Sequence, residues 1–140
     1  MKIALQDGKN YILRFDKDEE LFKGLSKFLS ENEITASSFT AIGTCSTVEM
    51  GYYNAFLKEY RKKPYVEDME IVSLTGNSGM LEGAPAVHAH GIFSKNDFTS
   101  VVAGHIFKLI VLATCEVSLT KLDGTLQRAH NADLNLNLLA

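Results

Sequence analysis

Val87–His105 reads VHAHGIFSKNDFTSVVAGH, and three of the chain's four histidines, His88, His90 and His105, fall inside it. The flanks are apolar and β-branched. The middle, Ser94-Lys95-Asn96-Asp97, is polar and carries turn formers, so the stretch predicts two strands joined as a hairpin. Strand side chains alternate between faces, which points His88 and His90 the same way. A two-residue loop at Asn96-Asp97 pairs Lys95 with Phe98 and, stepping outward, His88 with His105. Directly paired residues share a face, about 4.5–5.5 Å apart at Cβ. A four-residue loop, Ser94–Asp97, slides His105 along its strand but keeps it on that face, whereas a three-residue loop sends it to the other. The parity of the loop therefore decides whether three imidazoles converge.

Three neutral imidazoles on one rigid surface are a ligand set for a divalent transition metal. Three protein ligands also leave a coordination position for water or a small anion. The donor type suits zinc, copper, iron or nickel, and zinc is favoured by availability. The competing reading is a packed or exposed His-x-His pair with an unrelated third histidine. His130 stays outside the set, since it lies in a polar segment, RAHNAD, with no ligand spacing to another histidine. Gly91 and Gly104 flank the cluster and leave its backbone open to close approach.

Composition bounds the rest. With 140 residues, 46% hydrophobic and 22% charged, the chain reads as one domain, 1–140, with a core of useful size. A net charge of −3 and a pI near 5.8 argue against a strongly basic nucleic-acid binder. No apolar run approaches the roughly 20 residues of a membrane span and no signal-peptide core is visible, so the expectation is a cytoplasmic protein with no membrane partner. Cys45 and Cys115 are far apart and among small or apolar residues, which suits buried thiols better than a disulfide or a nucleophile.

Along the chain, Lys2–Gln6 and Asn10–Phe15 are short β-like runs around Asp7-Gly8. Asp16-Lys17-Asp18-Glu19 looks like a helix cap. A helix follows to about Asn32, with Leu21, Phe22, Leu25, Phe28 and Leu29 on one face to cover a sheet. Strand signals then dominate: Ser37–Ile42, a break at Gly43, Thr47–Tyr53, and an edge strand or loop over Leu57–Val66 containing Pro64. Met69–Thr75 is a further strand, expected to end at Gly76-Asn77-Ser78-Gly79 in a loop running to Pro85. Leu109–Leu119 is the most apolar run, and Asp133–Leu139 alternates like a strand that pairs at a sheet edge or with a partner subunit. The sum is an α+β domain with a largely antiparallel sheet and one main covering helix.

The ordered blocks IGTCSTVEMGYYN, MEIVSLTGN, HAHGIFS…VVAGH and ATCEVSL resemble the plant-and-prokaryote conserved domain family from about Tyr11 to Leu122. The resemblance implies an α+β fold, a homotrimer, and metal ligation by His88, His90 and His105. Ala103-Gly104-His105 departs slightly from the Gly-Gly-His usual in that family. Plant members follow AT-hook motifs, and prokaryotic members carry a DNA-binding label by that association. This chain has no Arg-Gly-Arg-Pro core. Its nearest basic cluster, Arg61-Lys62-Lys63-Pro64, is flanked by Glu59, Glu67 and Asp68.

Three functions remain in play. The first is a trimeric metal-binding module, with water or a small anionic ligand on the metal. The second is a metal-dependent hydrolase or lyase at the same site, with Glu70, Glu116 or Glu49 as acid/base groups or as partners that orient the ligands. The third is a regulator associated with DNA through a partner, without specific DNA binding of its own.

Overall fold

The computed structural model describes all residues from Met1 to Ala140. Nine strands and one helix follow in chain order. They are β1 (Lys2–Asp7), β2 (Asn10–Asp16), α1 (Leu21–Glu31), β3 (Ser37–Asn54), β4 (Glu59–Tyr65), β5 (Met69–Leu81), β6 (Ala84–Ser94), β7 (Val101–Lys121), β8 (Arg128–Asn131) and β9 (Leu136–Leu139). Every strand–strand pairing among them is antiparallel. The main sheet has the order β1-β2-β7-β6-β5-β3-β4, and an additional β7–β3 pairing closes β3, β5, β6 and β7 into a ring. β8 and β9 form a sheet of their own.

Period-two alternation explains the core. On β2, Tyr11, Leu13 and Phe15 are buried while their neighbours turn outward. On β7, Ile106, Leu109, Val111, Cys115, Val117 and Leu119 are buried, and bulges against β3 account for the breaks in strict alternation. α1 presents Leu21, Leu25, Phe28 and Leu29 to this core. Phe28 meets Tyr11 edge-on at 5.3 Å, and Gly24 makes room for the Phe15 ring, which a Cβ there would approach to 2.4 Å. No helix is long and apolar enough to cross a membrane.

Five expectations are corrected in detail. The helix starts at Leu21, not near Asp16, with Glu20 as its cap: the carboxylate accepts from the N–H groups of Phe22 and Lys23. The residues before it are held by β7, where Asp18 N donates to Val111 O and Val111 N to Glu19 O. Gly43 does not end a strand, since β3 runs through it. A Cβ at this residue, which has φ +144°, would lie 2.2 Å from the Thr114 carbonyl oxygen, so the glycine serves close packing of β3 on β7. Gly76 and Gly79 act likewise: their Cβ atoms would meet His88 O at 2.3 Å and Leu126 O at 2.5 Å. The expected Gly76–Pro85 loop is therefore strand, and the turn shrinks to Glu82-Gly83, with φ of 51° and 81°. The fourth correction concerns the tail, where Leu136–Leu139 pairs with Arg128–Asn131 rather than with the edge of the main sheet.

The fifth correction concerns the histidine hairpin. Ser94 pairs with Val101, leaving a six-residue connection, Lys95–Ser100. Asp97 organises it by accepting from the N–H groups of Thr99 and Ser100 and from the Ser100 hydroxyl. Six is even, so the face is preserved. The register is displaced by two residues, and His90, not His88, stands opposite His105.

Candidate metal centre

β6 carries His88 and His90 one strand period apart, and β7 supplies His105 directly across from His90. The ring centroids lie 5.2 Å (His88–His90), 5.0 Å (His88–His105) and 5.4 Å (His90–His105) apart. One potential ligand nitrogen from each residue falls within 4.8 Å of the others. Tetrahedral zinc, at about 2.0–2.1 Å from each nitrogen, spaces its ligands roughly 3.3 Å apart. His88 and His105 are half-buried and His90 is exposed. His105 Nδ1 is buried without any hydrogen-bond partner, an orphaned polar atom that a metal–nitrogen bond would satisfy. The donor set and this orphan fit a divalent ion.

Electrostatics keep His88 and His105 ready to ligate. Burial, and then the charges of His88, His90, Lys62 and Arg128, lower the His105 pKa to about 4. Burial also lowers His88, with Arg128 and His90 adding to it. Both rings are neutral at pH 7, as a metal ligand must be.

Aromatic packing fixes the position of His105. Phe107, two residues along β7, lies 4.5 Å away, and Tyr60 of β4 lies 4.9 Å away. Phe107 and Tyr60 meet edge-on at 5.1 Å. Gly51, opposite His105 on β3, makes this possible, because a Cβ there would come within 2.4 Å of Phe107 and 2.9 Å of Tyr60. Lys62 Nζ sits 3.9 Å from the centre of the Phe107 ring, over its face.

A cavity of about 710 Å³ opens beside the cluster, bounded by His88 and His105, Tyr60, Phe107, Asn77 of β5 and the β8–β9 hairpin. Arg128 of β8 reaches into its wall, donating from Nη2 to Asn77 Oδ1 at 2.6 Å and from Nη1 to Asn137 O at 3.2 Å. Burial lowers its pKa, yet a guanidinium remains charged at neutral pH.

The three candidate carboxylates lie elsewhere. Glu70 is exposed on β5 opposite Ser94 and Thr44, and Glu116 is exposed on β7 opposite Arg14 and Ile42. Glu49 is 3.7 Å from Lys62 Nζ. None of the three lines the cavity. His130 sits on β8 beside Asn137, apart from the other histidines. Cys45 and Cys115 are free and buried, with burial pushing each thiol up to about 12, which makes them poor nucleophiles. Sequence reasoning did not single out Asn77, Tyr60, Phe107 or Arg128. Asn77 had the look of a loop residue, and nothing local in the tail signals that Arg128 folds back on β5.

The family model for the Plants and Prokaryotes Conserved (PCC) domain matches residues 3–123. A metal-containing protein from Archaeoglobus fulgidus is 35% identical with a TM-score of 0.89, covering 100% of this chain and 99% of that one. A protein from Bacteroides thetaiotaomicron, provisionally described as DNA binding, is 29% identical with a TM-score of 0.92 over 97% of this chain and 94% of its own. A plant- and prokaryote-conserved protein from Pyrococcus horikoshii is 28% identical with a TM-score of 0.89, covering 100% and 97%. No curated protein matches the chain. With most of its length accounted for by that one model, the chain belongs to the Plants and Prokaryotes Conserved domain family.

Proposed function

We propose that this protein binds one divalent transition metal, zinc in the first instance, through His88, His90 and His105, and presents it to a small ligand. The convergence of three imidazole nitrogens within 4.8 Å carries the reading. The buried, unpartnered His105 Nδ1 supports it, as does the description of the Archaeoglobus protein as metal-containing. A divalent ion held by three neutral ligands supplies a Lewis-acidic position open to water or an anion. The chain's own part is to hold the rings in place: His105 by the Phe107–Tyr60 stack, His88 and His90 by pairing of β6 with β5. The test is zinc affinity of the full chain. Wild type should take up one equivalent, and His90→Ala should lose about a hundredfold or more in affinity while remaining folded. Equal zinc binding by both would end the proposal.

The working form is a homotrimer. Apolar side chains left on outer strand surfaces support self-association: Ile12, Ile42, Val72, Ile92 and Val101 are 36–61% exposed. Light scattering should give three times the chain mass at micromolar concentration, and a monomer would refute it. Free Cys45 and Cys115 suit a reducing, cytoplasmic setting. The chain by itself does not read DNA sequence, given its charge of −3. A sequence-specific footprint surviving about 150 mM salt would contradict this, because purely electrostatic binding fades there.

A further inference from the structure

The cavity beside the histidines has an unusual charge inventory. Its lining includes a guanidinium, Arg128, but no aspartate or glutamate. Both hydrogen bonds of Arg128 go to neutral acceptors, Asn77 Oδ1 and Asn137 O, so no carboxylate in the protein neutralises it. Two of its five N–H donors are thereby engaged, and Nε is buried without a partner. A divalent ion on three neutral imidazoles would add two further positive charges to the same space. Arg128 is only partly buried, but a cationic wall with no carboxylate beside it favours an anion brought by a ligand.

The remaining wall has the opposite character. Leu81, Val87 and Phe107 line the cavity together with Leu136 and Leu138 of the terminal hairpin. A fully polar anion such as inorganic phosphate would leave this surface wet and would find a single guanidinium to pair with. An anion with an apolar body satisfies both walls at once. The volume, about 710 Å³, lies within the range of small-molecule sites.

We infer that this cavity binds a small carboxylic acid with an apolar body, its carboxylate held between the histidine cluster and Arg128 and its body against Leu136 and Leu138. One of the two anchors rests on the metal reading above; the other, Arg128, does not. The β8–β9 hairpin, which lies beyond residues 3–123 matched by the family model, thus supplies both the charge and the apolar wall that select the ligand.

Calorimetry on the zinc-loaded full chain tests this with hexanoate, acetate and inorganic phosphate as probes, alongside zinc content measured for each variant. Hexanoate should bind at least tenfold more tightly than acetate, since each buried methylene contributes about fourfold. Phosphate should bind more weakly than hexanoate. Arg128→Gln should keep its zinc and lose about tenfold to a hundredfold in affinity for hexanoate and acetate alike. Leu136→Asn should weaken hexanoate while sparing acetate, a contrast that a merely loosened hairpin would not produce. Equal affinity for hexanoate and acetate in the wild type would overturn the inference. So would tighter binding of phosphate, or hexanoate affinity unchanged in Arg128→Gln. If the wild type takes up no zinc, the metal reading fails by itself. Hexanoate binding that depends on Arg128 in the metal-free chain would then uphold the cavity assignment, and its absence would refute both.

Discussion

Two hairpins meet at the candidate site and are held in opposite ways. The β6–β7 hairpin is part of the main sheet: β6 pairs with β5 along nearly its whole length, and β7 continues against β3 from His105 to Lys121. Beneath it lie Ala89, Phe93 and Ile106, all buried. The β8–β9 hairpin forms a separate sheet whose residues are mostly exposed. Its ties outward are few and polar: Tyr53 Oη donates to Leu134 O, Asn135 Nδ2 to Lys58 O, and Arg128 to Asn77. The contrast separates two tasks. The three histidines stand on the firmly paired element, and Arg128 with the leucines that line the cavity stands on the element with the weaker hold.

The largest effect should come from breaking the rigid half. Phe93 is wholly buried under β6, and Phe93→Ala should cost about 3–5 kcal/mol, with a correspondingly lower urea midpoint. Zinc affinity should fall with it, because β6 carries two of the three histidines. A loss below about 1 kcal/mol would mean that the hairpin is not anchored by this core.

A second effect is set by pH. His105 titrates near 4 in the folded protein, against about 6.5 for an unperturbed ring. Above pH 6.5 the ring is neutral in both states and its contribution is fully present. Between pH 6.5 and 4 the unfolded chain takes up the proton first, so stability of the metal-free protein should fall as pH drops through that window. His88 shifts in the same direction. Urea titrations at pH 7 and pH 5 measure the effect, and His105→Asn should flatten the difference. A metal-free protein more stable at pH 5 than at pH 7 would reverse the sign.

The smallest effect belongs to the terminal hairpin. Tyr53→Phe removes one exposed hydrogen bond to Leu134 O and should cost no more than about 0.5–1 kcal/mol. Hydrogen exchange should quicken in β8 and β9 while β6 and β7 are unaffected. Equal quickening of both hairpins would erase the distinction between them.

The same contrast governs what could be read from the sequence. Strand alternation is local, so Val87–His105 announced two strands and a shared face for His88 and His90, and left the face of His105 to the parity of the turn. The register escaped because the side chain of Asp97 organises a longer turn than the residues around it suggest. Pro64 marked an edge, and Glu59–Tyr65 is one, pairing only with β3. Glycines misled the reading. Gly43, Gly76 and Gly79 look like turn residues, but each stands where another strand or segment approaches too closely for a Cβ, a fact that only the packed structure contains. Arg128 and Asn77 are 51 positions apart, and no periodicity connects them.

X-ray absorption at the zinc edge of the loaded, untagged protein addresses the central claim most directly. The account predicts a first shell of three imidazole nitrogens at about 2.0–2.1 Å with one further light-atom ligand, and loss of one imidazole from that shell in His90→Ala. A sulfur-containing shell, or a nitrogen shell unchanged by that substitution, would contradict it.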